Sequence, residues 1–400
     1  MAKLAEALSA TWHFPTQIMF GPGRVRAIAD ACGVAGISRP LVVTDPTLAR
    51  LDLVARAVDD LRASGRRADV FADVRPNPNG ATVAAGLAAY RAGDHDGIVA
   101  IGGGSSLDTG KAVAFMAGQD GPLWDFAMAD FSDADGLADR VRADGIAPVV
   151  SVPSTAGTGS EIGRAAAIVD ETLQVKKALF HARLMPRVCV ADPELTLDKP
   201  ADLTAATGMD ALSHNIEAYC CPFYHPMSDG LALEGLRLIK TALPRAVENG
   251  ADLAARGDMM AASLLGGAAF QKGVGGMHAL SHPCSGVFDL HHGLVNAVVM
   301  PYVLAFNREV EEVDRKLAAL ARYLGLAASS ATAVIEWTIS LRSAIEIPHT
   351  LADLGIGEVD IARLAPMAAA DVCASENPRP LPIEACAALY RDAIQGNLRL

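Results

Sequence analysis

The chain has 400 residues, of which 51% are hydrophobic and 20% are charged, and its formal net charge is −12. This length and composition are sufficient for two domains with well-buried cores. The acidic balance argues against nucleic acid or an anionic membrane as the partner. No apolar run reaches the roughly 20 residues that a membrane span requires, and the first ten residues are too charged for a signal peptide.

The first half of the chain alternates short β-rich runs with helical stretches. The predicted strands are 40–44, 68–71, 97–101, 148–152, 165–169 and 188–191. Between them, segments such as 51–64 and 80–92 carry apolar residues at helical spacing. Alternation of this kind predicts an α/β domain with a mostly parallel, Rossmann-like sheet covered by helices.

From Pro193 onward the β-like runs almost vanish. Apolar spacing there predicts helices over 201–220, 226–248, 251–270, 294–307, 310–324, 329–343 and 381–395. The sequence therefore predicts an α/β N-terminal domain over residues 1–192 and an all-helical C-terminal domain over residues 193–400.

The seven cysteines are scattered along the chain, and none forms a CxxC pair. Scattered, unpaired cysteines of this kind are typical of reduced thiols. We therefore expect a cytoplasmic protein.

A glycine-rich segment, Gly102–Lys111, follows the strand that ends at Ile101. Glycines between a strand and a helix let backbone N–H groups approach a phosphate, and the helix N-terminus adds a favourable dipole. Ser105 and Ser106 can add hydroxyl donors or cap the helix. The segment lacks the third glycine of the usual dinucleotide fingerprint, so a tight turn with a serine cap is an equally good interpretation.

A second polar loop, Pro153–Glu161, follows the next predicted strand and places Thr155 and Thr158 beside glycines. For this loop alone, a hydroxyl-rich turn is the simpler explanation. Both loops, however, lie at the carboxyl ends of strands, and that edge of an open α/β sheet is where ligands bind. Together they favour a nucleotide site.

Asp45 also comes directly after a predicted strand. An acid at this position can accept hydrogen bonds from an adenosine ribose and repels a 2′-phosphate, which favours NAD over NADP. The alternative is that Asp45 caps a helix or forms an Asx turn before Pro46.

Potential metal ligands occur in two short stretches of the helical region. Asp210 and His214 are four residues apart, so one face of a helix can direct both towards a single ion. Four histidines follow within 277–293, namely His278, His282, His291 and His292. A carboxylate with imidazoles suits a borderline divalent metal such as Fe or Zn, and a bound metal polarises an oxygen ligand.

The sequence leaves open which of these histidines are ligands. His278 and His282 share a helical face, and Pro283 and Gly286 are predicted to end that helix. Adjacent histidines point in different directions, so at most one of the pair at 291–292 should be a ligand. The residues alone thus favour a metal site formed by Asp210, His214 and two of the four later histidines. The alternative is that an aspartate and a histidine form a purely structural pair.

Taken in order, these segments resemble the iron-containing (group III) alcohol dehydrogenase family. The matching pieces span nearly the whole chain: Phe20–Gly23, Val43–Asp45, Gly102–Lys111, Pro153–Glu161, Asp192–Pro193, Asp210–His214, Gly276–Asn296 and Asn377–Pro380. The resemblance implies the two-domain, dehydroquinate synthase-like fold of that family, with the cofactor in the cleft and the metal on the helical domain.

The resemblance also implies roles for individual residues. The family's metal ligands fall on Asp210, His214, His278 and His292. His282 falls on a histidine near the substrate, where it either relays protons or orients a ligand. The positions that contact the cofactor fall on Asp45, Gly102, Gly103, Gly104, Ser105, Asp108, Thr155, Thr158 and Lys176, with Lys177 as the adjacent register.

We therefore expect an NAD-dependent oxidoreductase that uses a divalent metal, Fe²⁺ or Zn²⁺, for reversible hydride transfer between a small primary alcohol and its aldehyde. A glycerol dehydrogenase-like or hydroxyacid–oxoacid transhydrogenase-like enzyme is the alternative within this fold. Maleylacetate reductases are similar but typically lack the metal set. The expected partners are the small-molecule substrate and a second copy of the chain in a homodimer.

Two further alternatives belong to other functional classes. A dehydroquinate-synthase-like lyase would need Lys or Arg for a phosphorylated substrate, and the stretches 208–220 and 276–293 contain neither. A non-catalytic metal- or nucleotide-binding protein would bind the same ligands without turnover.

Overall fold

The computed structural model describes residues 16–128 and 140–400, so the first ten residues, predicted not to form a signal peptide, lie outside it. The chain divides into two compact units, 14–197 and 198–400. The boundary predicted at 192/193 lies close to this division and stays a prediction. Across the described ranges, no helix combines the length and the apolar character that crossing a membrane requires.

The first unit contains eight described strands and four described α-helices. The strands are β1 (Gln17–Phe20), β2 (Pro40–Val43), β3 (Asp69–Phe71), β4 (Gly97–Gly102), β5 (Val149–Pro153), β6 (Ala165–Asp170), β7 (Val175–Phe180) and β8 (Val188–Ala191). The helices are α1 (Ile28–Ala35), α2 (Asp52–Ala63), α3 (Gly80–Ala92) and α4 (Gly104–Met116).

Six of these strands form a parallel sheet in the order β1-β8-β5-β4-β2-β3. Every residue of β2, β4, β5 and β8 is buried, as expected for strands of a parallel sheet covered on both faces. The predicted mostly parallel sheet is confirmed. One predicted strand, β6, lies elsewhere, since it pairs antiparallel with β7 in a separate two-stranded sheet.

Strands β1 and β7 were not predicted from the sequence. β1 is a short edge strand that is largely exposed, so it lacks the continuous apolar run that marks the central strands. β7 carries Lys176 and Lys177 in its middle and only one fully buried residue. Neither strand therefore shows the period-2 apolar pattern from which strands are recognised.

The parallel pairing places the carboxyl ends of β2, β4 and β5 at one edge of the sheet. Gly102 at the end of β4 is in register with Pro153 at the end of β5, and β2 ends directly before Thr44. Helix α4 begins at this edge, at Gly104. The two loops predicted to bind nucleotide therefore lie side by side.

The second unit is helical throughout its described residues, as predicted. Its α-helices are α5 (Ala201–Cys220), α6 (Pro226–Glu248), α7 (Leu253–Ala269), α8 (Gly276–Phe288), α9 (His292–Asn307), α10 (Glu311–Tyr323), α11 (Ala331–Ala344), α12 (Ile361–Ala369) and α13 (Ile383–Gln395). Helix α5 packs against α6, α7 and α9 and is buried along nearly its whole length. The polar side chains of α5 from Thr204 onward are consequently buried in the core.

The prediction that Pro283 and Gly286 end the helix containing His278 is wrong. Helix α8 continues past both residues to Phe288 and ends at Asp289, which has a left-handed φ of 54°. A proline inside a helix removes one N–H donor and crowds the preceding turn. The Leu280 carbonyl in that turn accepts hydrogen bonds from the Cys284 thiol of the same helix at 3.3 Å and from the Tyr390 hydroxyl of α13 at 2.6 Å.

Candidate active site

Three polar side chains lie on one face of the buried helix α5. Asp210, His214 and Glu217 follow one another at four- and three-residue spacing and are all buried. Burying such groups is costly unless they have polar partners. Their partners come from α8 and α9, which pack together, with α9 also packing against α5.

Asp210, His214 and His278 bring their ligand atoms together. One side-chain atom from each of the three residues lies within 4.8 Å of the other two. The Nε2 atoms of His214 and His278 are 3.0 Å apart. A buried carboxylate and two imidazole nitrogens at these distances are a donor set that suits a borderline divalent cation.

His292, the fourth predicted ligand, lies at the first residue of α9. Its Nε2 is 3.8 Å from Asp210 Oδ1, and its Nδ1 is 3.0 Å from the Ser281 hydroxyl. The next residue, Gly293, makes this approach possible, because a Cβ there would lie 2.3 Å from the Ala206 carbonyl oxygen. His292 thus lies beside Asp210, whereas the group whose ligand atoms all lie within 4.8 Å of one another consists of Asp210, His214 and His278.

Glu217 was missed by the sequence analysis and directly supports this group. Its Oε2 is 2.5 Å from His278 Nδ1, and its Oε1 accepts a hydrogen bond from the Met277 amide at 2.6 Å. Burial opposes the charged form of His278, but the carboxylates of Glu217, Asp210 and Asp371 outweigh it and raise the pKa of that imidazole. Glu217 lies seven residues after Asp210, and that spacing could have revealed it.

Asn296 is the second residue that the sequence analysis missed. It is fully buried, and its amide nitrogen donates to Asp210 Oδ1 at 3.0 Å and lies 3.0 Å from His292 Nε2. It comes four residues after His292, on the same face of α9. Asn296 therefore helps to fix the orientation of the Asp210 carboxylate.

His282 lies beside the group of four. Its ring stacks on that of His292, with centroids 5.0 Å apart and an angle of 19°, and its Nδ1 is 2.9 Å from Asp371 Oδ2. On another side of the group, the ring of Phe270 lies 5.2 Å from that of His214. His282 thus lies directly beside His292 and outside the group of Asp210, His214 and His278.

The glycine segment of the first unit packs against the threonine loop. A Cβ at Gly104 would lie 2.7 Å from the Thr158 methyl group, and one at Gly103 would lie 3.4 Å from the Thr155 hydroxyl. Gly102 adopts a φ of 148°, a conformation that favours glycine. Helix α4 begins after Gly103 without a hydrogen bond from a capping side chain, so the alternative of a serine cap is wrong.

Two buried hydroxyls at the same sheet edge fit a ligand. Within the described residues, Thr44 Oγ1 and Ser154 Oγ have no hydrogen-bond partner, and both residues are almost completely buried. Unpaired buried polar atoms cost free energy, and a polar ligand at this edge would satisfy them. The first turn of helix α4, where Gly103, Gly104 and Ser105 are half-buried, lies at the same edge, and a helix N-terminus of this kind suits an anionic ligand.

Asp108 and Lys111 hold the two loops together. Asp108 accepts hydrogen bonds from the Ser160 hydroxyl at 2.5 Å and the Ala167 amide at 3.2 Å. Lys111 lies 3.3 Å from Asp108 and donates to the carbonyls of Ser160 and Ala165. Burial lowers the pKa of Lys111 despite the neighbouring carboxylate. Asp108 thus has a structural role in addition to any contact with a cofactor.

For Asp45 the alternatives were a ribose contact or a local turn, and for the lysine they were Lys176 or Lys177. Asp45 Oδ1 accepts hydrogen bonds from the amides of Thr47 and Leu48, both at 2.9 Å, which is the turn geometry of the alternative interpretation. Lys177 bonds to Asp170 at 2.8 Å. Since successive residues of a strand point to opposite faces, Lys176 lies on the other face of the β6–β7 hairpin.

Comparison with known proteins decides the family. One family model, described as iron-containing alcohol dehydrogenase, matches residues 15–193, and a second, the C-terminal region of the Fe-containing alcohol dehydrogenase family, matches residues 204–394. The chain belongs to the iron-containing alcohol dehydrogenase family. The predicted family and the predicted class of enzyme, an oxidoreductase acting on alcohols, are confirmed.

Individual relatives of this alcohol dehydrogenase agree over nearly their full lengths. The chain is 39% identical to a 4-hydroxybutyrate dehydrogenase of Cupriavidus necator, covering 96% of this chain and 99% of the relative. It is 35% identical to an NAD-dependent methanol dehydrogenase of Bacillus methanolicus, with the same coverage. Both relatives are named as dehydrogenases of other alcohols, which favours neither the lyase nor the glycerol dehydrogenase alternative.

Solved structures give the same result for the fold. A 1,3-propanediol oxidoreductase superposes with a TM-score of 0.90 at 35% identity, covering 96% of this chain and all of the other. A sulfoacetaldehyde reductase from Bifidobacterium kashiwanohense, solved in complex with NAD⁺, has a TM-score of 0.84 at 27% identity and covers 96% and 99% of the two chains. The predicted cofactors, NAD and a divalent metal, agree with the family description and with these names.

Proposed function

We propose that this chain transfers a hydride reversibly between a small primary alcohol and NAD, and that Asp210, His214, His278 and His292 hold the divalent ion. The observation that carries the proposal is the convergence of Asp210, His214 and His278 within 4.8 Å in a buried helical core. The relatives support the substrate class, because 4-hydroxybutyrate, methanol and 1,3-propanediol all carry a primary hydroxyl.

The residues around this group fit a divalent ion. One carboxylate and three imidazoles form a mixed oxygen and nitrogen set that accepts Fe²⁺ or Zn²⁺. When bound, such an ion polarises the alcohol oxygen and lowers its pKa. Glu217 holds the proton of His278 on Nδ1 and so directs Nε2 towards His214. His282, adjacent to His292, accepts the proton that the alcohol releases.

The sheet edge of the first unit fits NAD. In the proposal, the backbone amides of Gly102, Gly103, Gly104 and Ser105 bind the pyrophosphate at the N-terminus of α4. Thr155, Thr158, Asp108 and Lys176 contact the remaining parts of the cofactor. Asp45 uses Oδ1 for its turn, and its Oδ2 accepts from the adenosine ribose. The nicotinamide supplies the hydride chemistry, and these residues position it.

We propose that the preferred alcohol is small and uncharged. The ring of Phe270 lies against His214 and supplies apolar surface next to the proposed ion. The stretches of α5 and α8 that carry the ligands, 208–220 and 276–293, contain no Lys or Arg to pair with a substrate acid group. A neutral alkyl chain therefore fits these surroundings better than a carboxylate.

The experiment is an NADH absorbance assay on anaerobically purified, metal-loaded protein. Butyraldehyde and succinate semialdehyde form a matched pair, since both have four carbons and only one carries a carboxylate. We expect NADH oxidation with both and a higher kcat/KM for butyraldehyde. Absence of turnover with a full panel of aldehydes and alcohols, despite binding of NADH and metal, would support the binding-protein alternative.

A cytoplasmic location and a homodimer are further parts of the proposal. All seven cysteines are free and buried, which suits a reducing compartment. Ile18 and Phe20 are exposed apolar residues on the edge strand β1, and a second copy of the chain could cover them. Sedimentation analysis tests the dimer, with a single monomeric species at micromolar concentration as the contrary result.

A further inference from the structure

We propose that Asp371 is the positioning residue that fixes the tautomer of His282, so that Nε2 of His282 is the nitrogen that accepts the substrate proton. This inference rests on the proposed function, because it takes from there the role of His282 in proton transfer. Asp371 lies in none of the segments that carry the family resemblance.

Both oxygens of the Asp371 carboxylate have a defined partner. Oδ1 accepts a hydrogen bond from the Cys373 amide at 2.9 Å, at the start of the short helix Val372–Glu376. Oδ2 is 2.9 Å from His282 Nδ1. The Asp371 and His282 side chains are only 8% and 17% exposed. The backbone contact therefore holds the carboxylate in one orientation, with Oδ2 directed at the imidazole.

This orientation determines which nitrogen of His282 carries the proton. An ionised carboxylate can only accept hydrogen bonds. The contact with Asp371 Oδ2 therefore requires a proton on Nδ1, and in the neutral ring the lone pair is then on Nε2. A general base needs this lone pair on the side of the ring away from Asp371.

The ring plane of His282 is also fixed. The imidazole stacks on His292 at 5.0 Å and meets the ring of His278 nearly edge-on at 5.9 Å. Both neighbours are proposed ligands of the ion. Asp371 thus controls a ring that lies beside the proposed metal site but outside the group of Asp210, His214 and His278.

Cys373 lies beside the hydrogen bond between Asp371 and His282. Ligand atoms of His282, Asp371 and Cys373 lie within 4.8 Å of one another. Burial, reinforced by the charge of Asp371, raises the pKa of the Cys373 thiol well above its ordinary value. A raised pKa favours the neutral thiol over the thiolate. Asp371 is therefore the single charged partner of His282 in this cluster.

The substitution Asp371→Asn tests the tautomer directly. Its carbonyl oxygen has to accept from the Cys373 amide, so its NH₂ group faces His282 Nδ1 and the imidazole proton moves to Nε2. We expect kcat to fall by about 10²-fold, the scale of general base catalysis, with KM and metal content nearly unchanged. Asp252→Asn is the matched control, because Asp252 also caps a helix, through the Ala255 amide, and its kcat should not change.

Combining the substitution with His282→Ala separates the possible outcomes. We expect Asp371→Asn to cause no additional loss of kcat in the His282→Ala background. If His282→Ala alone keeps full kcat, the proton-transfer role in the proposed function fails. If His282→Ala lowers kcat but Asp371→Asn leaves it unchanged, or lowers it further in the double variant, the role of Asp371 is overturned while that of His282 stands.

A measurement on the unsubstituted protein covers the case in which Asp371→Asn does not fold. In Zn²⁺-loaded protein with ¹⁵N-labelled histidine, we expect the His282 resonances of a protonated Nδ1 and an unprotonated Nε2. A protonated Nε2 in the neutral ring would overturn the inference.

Discussion

His214 and His278 face each other through their Nε2 atoms, which lie 3.0 Å apart. Two lone pairs at this distance repel each other unless a proton or a cation lies between them. Glu217 engages Nδ1 of His278, which directs the Nε2 lone pair towards His214. With Asp210 close by, this pair is the centre of the proposed metal site.

The neighbouring histidines His291 and His292 allow a matched test of the ligand set. His292 Nε2 lies 3.8 Å from Asp210 Oδ1, whereas His291 is exposed at the N-cap of α9. We expect His292→Ala to lose bound metal and about 10³-fold in kcat/KM, the scale of several kcal/mol of charge stabilisation. His291→Ala should keep both. Elemental analysis after gel filtration measures the bound metal in each variant. Equal metal content in the two variants would show that His292 is not a metal ligand.

Glu217→Gln should weaken metal binding without removing a ligand. The amide keeps the size of the side chain and one oxygen that can accept from the Met277 amide, but the charge beside His278 Nδ1 is lost. We expect the affinity for Zn²⁺ to fall about 10–100-fold, as is typical when a group supporting a ligand histidine is changed. Competition with a chromophoric chelator measures the affinity. Unchanged affinity in a normally folded variant would show that Glu217 has no part in binding.

Asp45→Asn should relax the preference for NAD over NADP. Asparagine keeps the oxygen that accepts from Thr47 and Leu48, so the turn is preserved while the negative charge is removed. We expect kcat/KM with NADPH relative to NADH to rise roughly tenfold, because one like charge near the 2′-phosphate is gone. Asp45→Ala should also cost about 1 kcal/mol of stability through the loss of the turn hydrogen bonds from the amides of Thr47 and Leu48. An unchanged cofactor ratio in Asp45→Asn would contradict the ribose contact.

The ion pair of Asp170 and Lys177 should give the first unit an acid-sensitive contribution to stability. Burial opposes ionisation of Asp170, but hydrogen bonds from Lys177, Leu173 and Thr172 lower its pKa below the ordinary value of a carboxyl. A lowered pKa stabilises the fold above the unfolded-state pKa, and this contribution is lost as the pH falls through the folded-state pKa. We expect Asp170→Asn to cost about 1–3 kcal/mol at pH 7.

Urea unfolding of wild type and Asp170→Asn across the acid range measures this contribution. The difference between the two proteins should shrink as the pH falls below about 4. A difference that does not depend on pH would show that the hydrogen bonds, and not the charge, account for the effect.

The parts of the site predicted from the sequence are those encoded by local spacing. Asp210 and His214 are one helical turn apart, and the glycine segment directly follows a strand, so short-range rules identify both. Selection of His278 and His292 from four histidines needed the family resemblance. The structure is consistent with that selection because Gly293 allows the start of α9 to approach α5.

The remaining parts depend on contacts between residues far apart in the chain. Asp371 is 89 residues from His282, so no sequence pattern joins them. Helix α8 continues through Pro283 to Phe288, against the local rule that a proline ends a helix. The turn that Asp45 forms is local and could be predicted from the sequence. Its proposed contact with the ribose could not, because that contact depends on a ligand.

The most direct test of the account is to remove and restore the metal. Protein stripped by a chelator under anaerobic conditions should lose NADH-linked aldehyde reduction, and about one equivalent of Fe²⁺ or Zn²⁺ per chain should restore it. Full activity in the metal-free protein, confirmed by elemental analysis, would contradict the central claim that Asp210, His214, His278 and His292 act by holding one catalytic ion.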